Sequence, residues 1–183
     1  MTPAEVARFF RRDRFARGAG IRLEEVRPGY ARARMTASER HLNAVDVVQG
    51  GAIFTLADLA FAVCCNSHGT VAVAVNVNIQ FVRAGRPGRL VAEAREVALS
   101  PKLSSVEVKV TDRAGELVAV FTGLAYRKRE SLAELRDGPR VSSAAPRRRA
   151  RAAAPPRAPR GSAGSAPSPA PTPVPGRPRS RGR

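Results

Sequence analysis

Residues Gly51 to Cys65 read Gly-Ala-Ile-Phe-Thr-Leu-Ala-Asp-Leu-Ala-Phe-Ala-Val-Cys-Cys, apolar on nearly every side, with Asp58 as the one charge. The spacing predicts a helix of about 51–67, ended by His68 and Gly69. It is too short, and too charged at its middle, to span a bilayer. A helix apolar all round must be wrapped by other elements rather than laid on a surface.

The sequence supplies that wrapper as strands. Val71, Val73, Val75, Val77, Ile79 and Phe81 alternate with Ala72, Ala74, Asn76, Asn78 and Gln80. Period-two alternation of this length predicts a strand with its valine face on a core. Gly85-Arg86-Pro87-Gly88 is a turn, and strands follow near 89–99, 103–111 and 117–127, the last two joined at Asp112-Arg113-Ala114-Gly115. Two shorter strands, 21–26 and 30–36, flank Arg27-Pro28-Gly29. Short turns between successive strands imply antiparallel pairing. The expected fold class is α+β, a curled antiparallel sheet wrapped around one long central helix. Thr2-Pro3-Ala4-Glu5 forms a capping box for an N-terminal helix reaching about Ala16, so residues 1–20 are assigned to that helix and 21–130 to the main domain.

Composition changes abruptly at Asp137. Residues 137–183 are nearly all Ala, Pro, Arg, Gly and Ser, with 11 Arg against one Asp, so they carry most of the net charge of +17. Such a segment buries too little apolar surface to offset the entropy of ordering, and is read as a disordered tail. Arg147–Arg151 and Arg177–Arg183 could meet phosphates, but the whole chain has 29 Arg and only 3 Lys, which favours a solvated extension over a nucleic-acid site. Cys64 and Cys65 are adjacent on the apolar helix, so a disulfide is not expected and a reducing compartment is. Arg11, Arg12 and Asp13 stand where a signal peptide would be apolar, and the cytoplasm is the expected location. No His/Cys cluster has ligand spacing, so neither metal nor cofactor is expected.

Asp58 then needs an explanation. An ionised carboxylate on an apolar surface costs several kcal/mol unless a partner or a reaction compensates it. Gly50-Gly51 opens the same helix, where free N–H groups and the positive end of the dipole can hold a developing oxyanion. Asp58 is seven residues beyond Gly51, roughly 10 Å along the axis at helical rise. Attack requires about 3–3.5 Å. If both groups serve one reaction, the helix start of one subunit must face Asp58 of another in a two-fold dimer.

The run His41-Leu42-Asn43, Gln49-Gly50-Gly51, Phe54, Leu56-Ala57-Asp58, Ala60-Phe61-Ala62 and Cys65-Asn66-Ser67, followed by Phe81-Val82-Arg83 and Gly85, resembles the PaaI-type acyl-coenzyme A thioesterases of phenylacetate degradation, members of the hotdog-fold superfamily. The likeness covers about 21–128. It implies that Asp58 attacks the thioester carbonyl or activates water against it, that the Gly50 and Gly51 amides hold the carbonyl oxygen, and that Asn43 positions Asp58 or the water. The family usually places His before the glycine pair. Gln49 stands there instead, able to donate an N–H but not to titrate. Arg83, Lys102, Arg127 and Lys128 are candidates for the coenzyme phosphates, and Asn76 for the acyl pocket. The implied assembly is a homodimer or a dimer of dimers. His68, His41 and Asp46 are read as structural. The expected activity is hydrolysis of a small acyl-coenzyme A, phenylacetyl or hydroxyphenylacetyl being suggested by the resemblance. The alternatives are a non-catalytic acyl-coenzyme A binder with a nucleic-acid-contacting tail, and a dehydratase, which would need a His-centred motif.

Overall fold

The computed structural model describes residues 1–137. The disorder and nucleic-acid readings of the tail therefore fall, but for Asp137, outside the described residues. Thr2 and Glu5 cap each other reciprocally to open α1 (Pro3–Phe10), with Glu5 N donating to Thr2 Oγ1 at 3.3 Å and Thr2 N to Glu5 Oε2 at 2.8 Å. The helix does not continue to Ala16. Asp13 Oδ1 accepts from Ala16 N at 2.9 Å and starts a second helix, α2 (Arg14–Gly18). An aspartate that can bond the backbone just ahead competes with helix continuation, which accounts for the break.

The strands are β1 (Arg22–Arg27), β2 (Tyr30–Ala37), β3 (Thr70–Phe81), β4 (Gly88–Leu99), β5 (Leu103–Thr111) and β6 (Leu117–Ser131); α3 (Gly50–Cys65) lies between β2 and β3, and α4 (Leu132–Asp137), which the sequence pattern does not announce, follows β6. They form one antiparallel sheet in the order β1-β2-β4-β5-β6-β3. Its inner rows are regular. Ala33, Ala92, Val110, Ala119 and Phe81 are successive cross-strand partners, and Ala31, Ala94, Val108, Phe121 and Ile79 make the next row. Alanines on β2 and β4 let α3 approach closely, while valines and Phe121 fill the space on β5 and β6. Leu56, Phe61 and Val63 of α3 are buried against this face, each contributing roughly 1.5–3 kcal/mol.

Two contacts fix the C-terminal half of α3. Gly123 of β6 has no side chain because Phe61 lies on its backbone; a Cβ there would be 2.8 Å from Phe61 Cδ2 and nearer still to Cε2. Asn66 closes the helix by donating from Nδ2 to Ala62 O and Ala72 O, both at 2.9 Å, and accepting from Ala72 N at 2.8 Å. Its amide thus ties the helix end to β3.

The alternation expected in β3 is real, but it does not hold one face throughout. Val73 and Val75 are 41% and 57% exposed, whereas Val77 and Ile79 pack against the core. The pairing with β6 shifts between Ala74 and Asn76. This bulge inserts one residue, so Ala72 faces inward before it and Val77 and Ile79 after it. Among the described residues β3 is an edge strand paired only with β6, where such a bulge is accommodated. Among the described residues, no helix is long and apolar enough to cross a membrane.

Candidate active site

The start of α3 is held by the loop before it. Gln49 N donates to His41 O at 2.8 Å and Val48 N to Gly85 O at 2.9 Å. Gly85 allows this fit, since a Cβ would be 3.1 Å from Val48 Cβ and 3.2 Å from Ile53 Cδ1. Asn43 Oδ1 accepts from Val45 N at 3.0 Å and Val47 N at 3.3 Å, and Asp46 takes a positive φ of 57°. Within this protomer Asn43 therefore shapes the loop rather than touching Asp58. His41 is also structural: Nδ1 accepts from Ser38 N at 3.0 Å, leaving Nε2 to donate to Ala19 O at 3.1 Å.

The amides of the first helical turn are unequal. Ala52 N and Ile53 N donate to Gln49 O, and Gly51 N to Gln49 Oε1. Gly50 N has no acceptor among the described residues. It is thus the open donor at the positive end of the helix. Gly51, expected as the second donor, is engaged by the Gln49 side chain. That contact orients the Gln49 amide so that Nε2 is left to donate outward. Gly50 also lies under Phe81, where a Cβ would be 3.1 Å from the ring tip.

Asp58 lies on the partly exposed stripe of α3, together with Gly51, Thr55 and Ala62. Successive members are four, three and four residues apart, which is one helix face. The Asp58 carboxylate is half-buried and has no ion pair or hydrogen bond among the described residues. Burial, first, and the nearby Asp13 carboxylate, second, raise its pKa above the ordinary value of 3.8. Nothing along the chain marks Asp13 for this part. An Asp-Arg pair after Phe9-Phe10 can be read as a new helix cap, but not as a neighbour of Asp58.

Other candidates are dispersed. Arg83 lines a depression with Gly50 and Phe81, and its Nη2 meets Glu116 Oε2 at 2.6 Å. Lys102 is in the β4–β5 turn, where its carbonyl accepts from Arg127 N at 2.8 Å. Leu103 pairs with Tyr126, and Tyr126 with Val73, so this turn lies at the start of β3, beside the far end of α3 from Gly50. Asn76 is exposed on β3. His68 Nε2 meets Glu96 Oε2 at 2.7 Å, and Ser104 Oγ donates to Glu96 Oε1 at 2.5 Å, a network that fastens the end of α3 to β4 and β5. Burial pushes the Cys64 and Cys65 thiols up to about 12, so both are protonated at neutral pH. Among the described residues, no group of three His, Cys, Asp or Glu is gathered to hold a metal ion.

Known proteins share this architecture. The family model described as "Thioesterase superfamily" matches residues 46–119, from the loop before α3 to β6. The chain is 41% identical over 122 residues to a protein of Archaeoglobus fulgidus that bears an esterase name, covering 66% of this chain and 79% of that one. It is 33% identical over 119 residues to the acyl-coenzyme A thioesterase PaaI of Escherichia coli, covering 64% and 85% respectively. The solved structure of the E. coli PaaI protein from the phenylacetic acid degradation operon aligns with a TM-score of 0.67 at 29% identity, covering 71% of this chain and 99% of that chain. On fold, motif and sequence together, the chain belongs to the thioesterase superfamily, thioester hydrolases built on the hotdog fold.

Proposed function

We propose that the protein hydrolyses a small acyl-coenzyme A to the free acid and coenzyme A, with Asp58 as base or nucleophile. The observation that carries this reading is a half-buried Asp58 carboxylate on the partly exposed stripe of a helix whose first amide is Gly50 N–H, both without a hydrogen-bond partner among the described residues. The name of the E. coli relative, at 33% identity, supports the substrate class. Phenylacetyl and hydroxyphenylacetyl thioesters are the first acyl groups to try.

In the proposed reaction the thioester carbonyl oxygen accepts from Gly50 N–H and from Gln49 Nε2, a donor pair that strengthens as the tetrahedral oxyanion forms. Each such donor contributes about 3–4 kcal/mol to the transition state. Asp58 either takes a proton from the attacking water and passes it to the departing sulfur, or attacks the carbonyl carbon to form an anhydride that water then cleaves. In the second route the departing thiolate takes its proton from solvent. Both routes release the free acid and coenzyme A. Gly51 and Asp58 share one helix face about 10 Å apart, so the base is supplied by a second copy and each dimer holds two sites.

Thiol release from a panel of acyl-coenzyme A thioesters tests the reading. Asp58→Asn should lower kcat by about 10²–10⁴-fold. Wild-type turnover no faster than that of the variant would overturn it.

A further inference from the structure

Beside Gln49 and Gly51 a cavity of about 570 Å³ opens, with Phe15, Leu42 and Ala52 among its apolar walls and Arg14 and Arg40 at its rim. Arg14 also borders a second depression, of about 500 Å³, lined by Arg14, Arg17, Gly18 and Arg22. The two depressions share Arg14 and Gly18, so a path runs from Gln49 and Gly51, the neighbours of Gly50 in sequence, to a strip of guanidinium groups. Arg40 reaches this strip across Gly20, whose φ of 76° and missing side chain make room: a Cβ there would be 2.9 Å from Arg40 Nη2.

None of Arg14, Arg17, Arg22 and Arg40 has an ion pair or a side-chain hydrogen bond among the described residues. Other arginines, on the sheet and its loops, have carboxylate partners. Arg32, Arg34 and Arg89 all meet Glu24, Arg95 meets Glu93, and Arg83 meets Glu116. Asp13 is the one carboxylate lining any of the depressions around α2, and its Oδ1 is engaged with Ala16 N. Four like charges set against the single Asp13 carboxylate leave a net positive field that favours a multiply charged anion. Phe15, between Arg14 and Arg17 in sequence, is 76% exposed. An aromatic ring held out in water costs apolar hydration, and beside guanidinium groups it offers a flat face for a base and donors for phosphates.

We propose that Phe15 with Arg14, Arg17, Arg22 and Arg40 forms the subsite for the phosphate-bearing adenosine end of the coenzyme A. The proposal rests on the thioesterase reading and replaces Lys102 in the role expected of it. The thioester would lie at Gly50, the pantetheine arm would cross the apolar cavity, and the phosphates would meet the arginines.

The test compares the wild type with an Arg14→Gln/Arg17→Gln/Arg22→Gln variant, whose substitutions are all on exposed side chains. Two thioesters of one acyl group are used, on coenzyme A and on N-acetylcysteamine, which lacks nucleotide and phosphates. The ratio of kcat/KM for the coenzyme A substrate to that for the short one should fall about tenfold or more, with a weaker dependence on salt. Calorimetry with adenosine 3′,5′-bisphosphate reads the subsite without turnover; the variant should bind it about tenfold or more weakly. An unchanged ratio, or equal bisphosphate affinity in both proteins, would overturn the subsite. Failure of the wild type to cleave either thioester, with bisphosphate binding still lost on substitution, would overturn the hydrolase reading and leave the nucleotide subsite standing.

Discussion

Asp58 differs from a surface carboxylate because its surroundings oppose its charge twice, by burial and then by Asp13. Both causes favour the protonated form, so Asp58 is a weaker acid and, once ionised, a stronger base than a solvated aspartate. In the proposed reaction only the ionised form works. Activity therefore rises with pH as Asp58 loses its proton, and this loss sets the acid limb of the kcat/KM profile. Asp13→Asn keeps a good N-cap for α2 while removing the second cause. The acid limb should move to lower pH; a limb left in place would separate Asp13 from the chemistry. Gln49 illustrates the limits of residue type as a guide. The sequence shows an amide where the family resemblance leads one to expect an imidazole, but only the folded chain shows that Gly51 N–H takes its oxygen and leaves its nitrogen outward.

At the scale of elements, Gly123 and Phe61 form a fitted pair across the sheet–helix interface. Gly123→Ala pushes a methyl into the Phe61 ring and should cost about 1–3 kcal/mol, read as a lower midpoint in urea denaturation. Pairing it with Phe61→Leu should recover part of that loss; an unchanged midpoint for the single variant would contradict the packing. Long periodic segments are legible in the residues themselves: α3 from a largely apolar run interrupted by Asp58, β3 to β6 from alternation and turn residues. What is not legible depends on partners in space. The side switch in β3 is a property of its pairing with β6, and the sequence on either side of Ala74 looks uniform. The break between α1 and α2 is decided by whether Asp13 bonds forward. Of the candidate site, Asp58 and Gly50 stand out because each breaks a local rule, a charge in an apolar helix and a glycine at its start. Lys102 lies in a turn beside the other end of α3 from Gly50, a placement that no spacing along the chain discloses.

The whole molecule makes one prediction that no protomer can satisfy alone. If the base comes from a second copy, Asp58→Asn and Gly50→Pro subunits are each inactive, yet a mixed dimer holds one complete site. Pro fits the first helical position while removing the N–H, and the half-exposed Phe81 ring can yield to it. Random reassociation of equal amounts makes half the dimers mixed, each with one of two sites intact, so activity should recover to about a quarter of wild type. No recovery would mean that each chain works by itself. The strand order has a consequence of another kind. β3 is the third strand to be synthesised, but its only partner among the described residues is β6, the last of the described strands. While the ribosome still holds the chain, twelve residues rich in valine have no neighbour to bond with. Translation thus passes through an interval in which the nascent protein is at its most adhesive, and the hazard ends only when the final hairpin emerges.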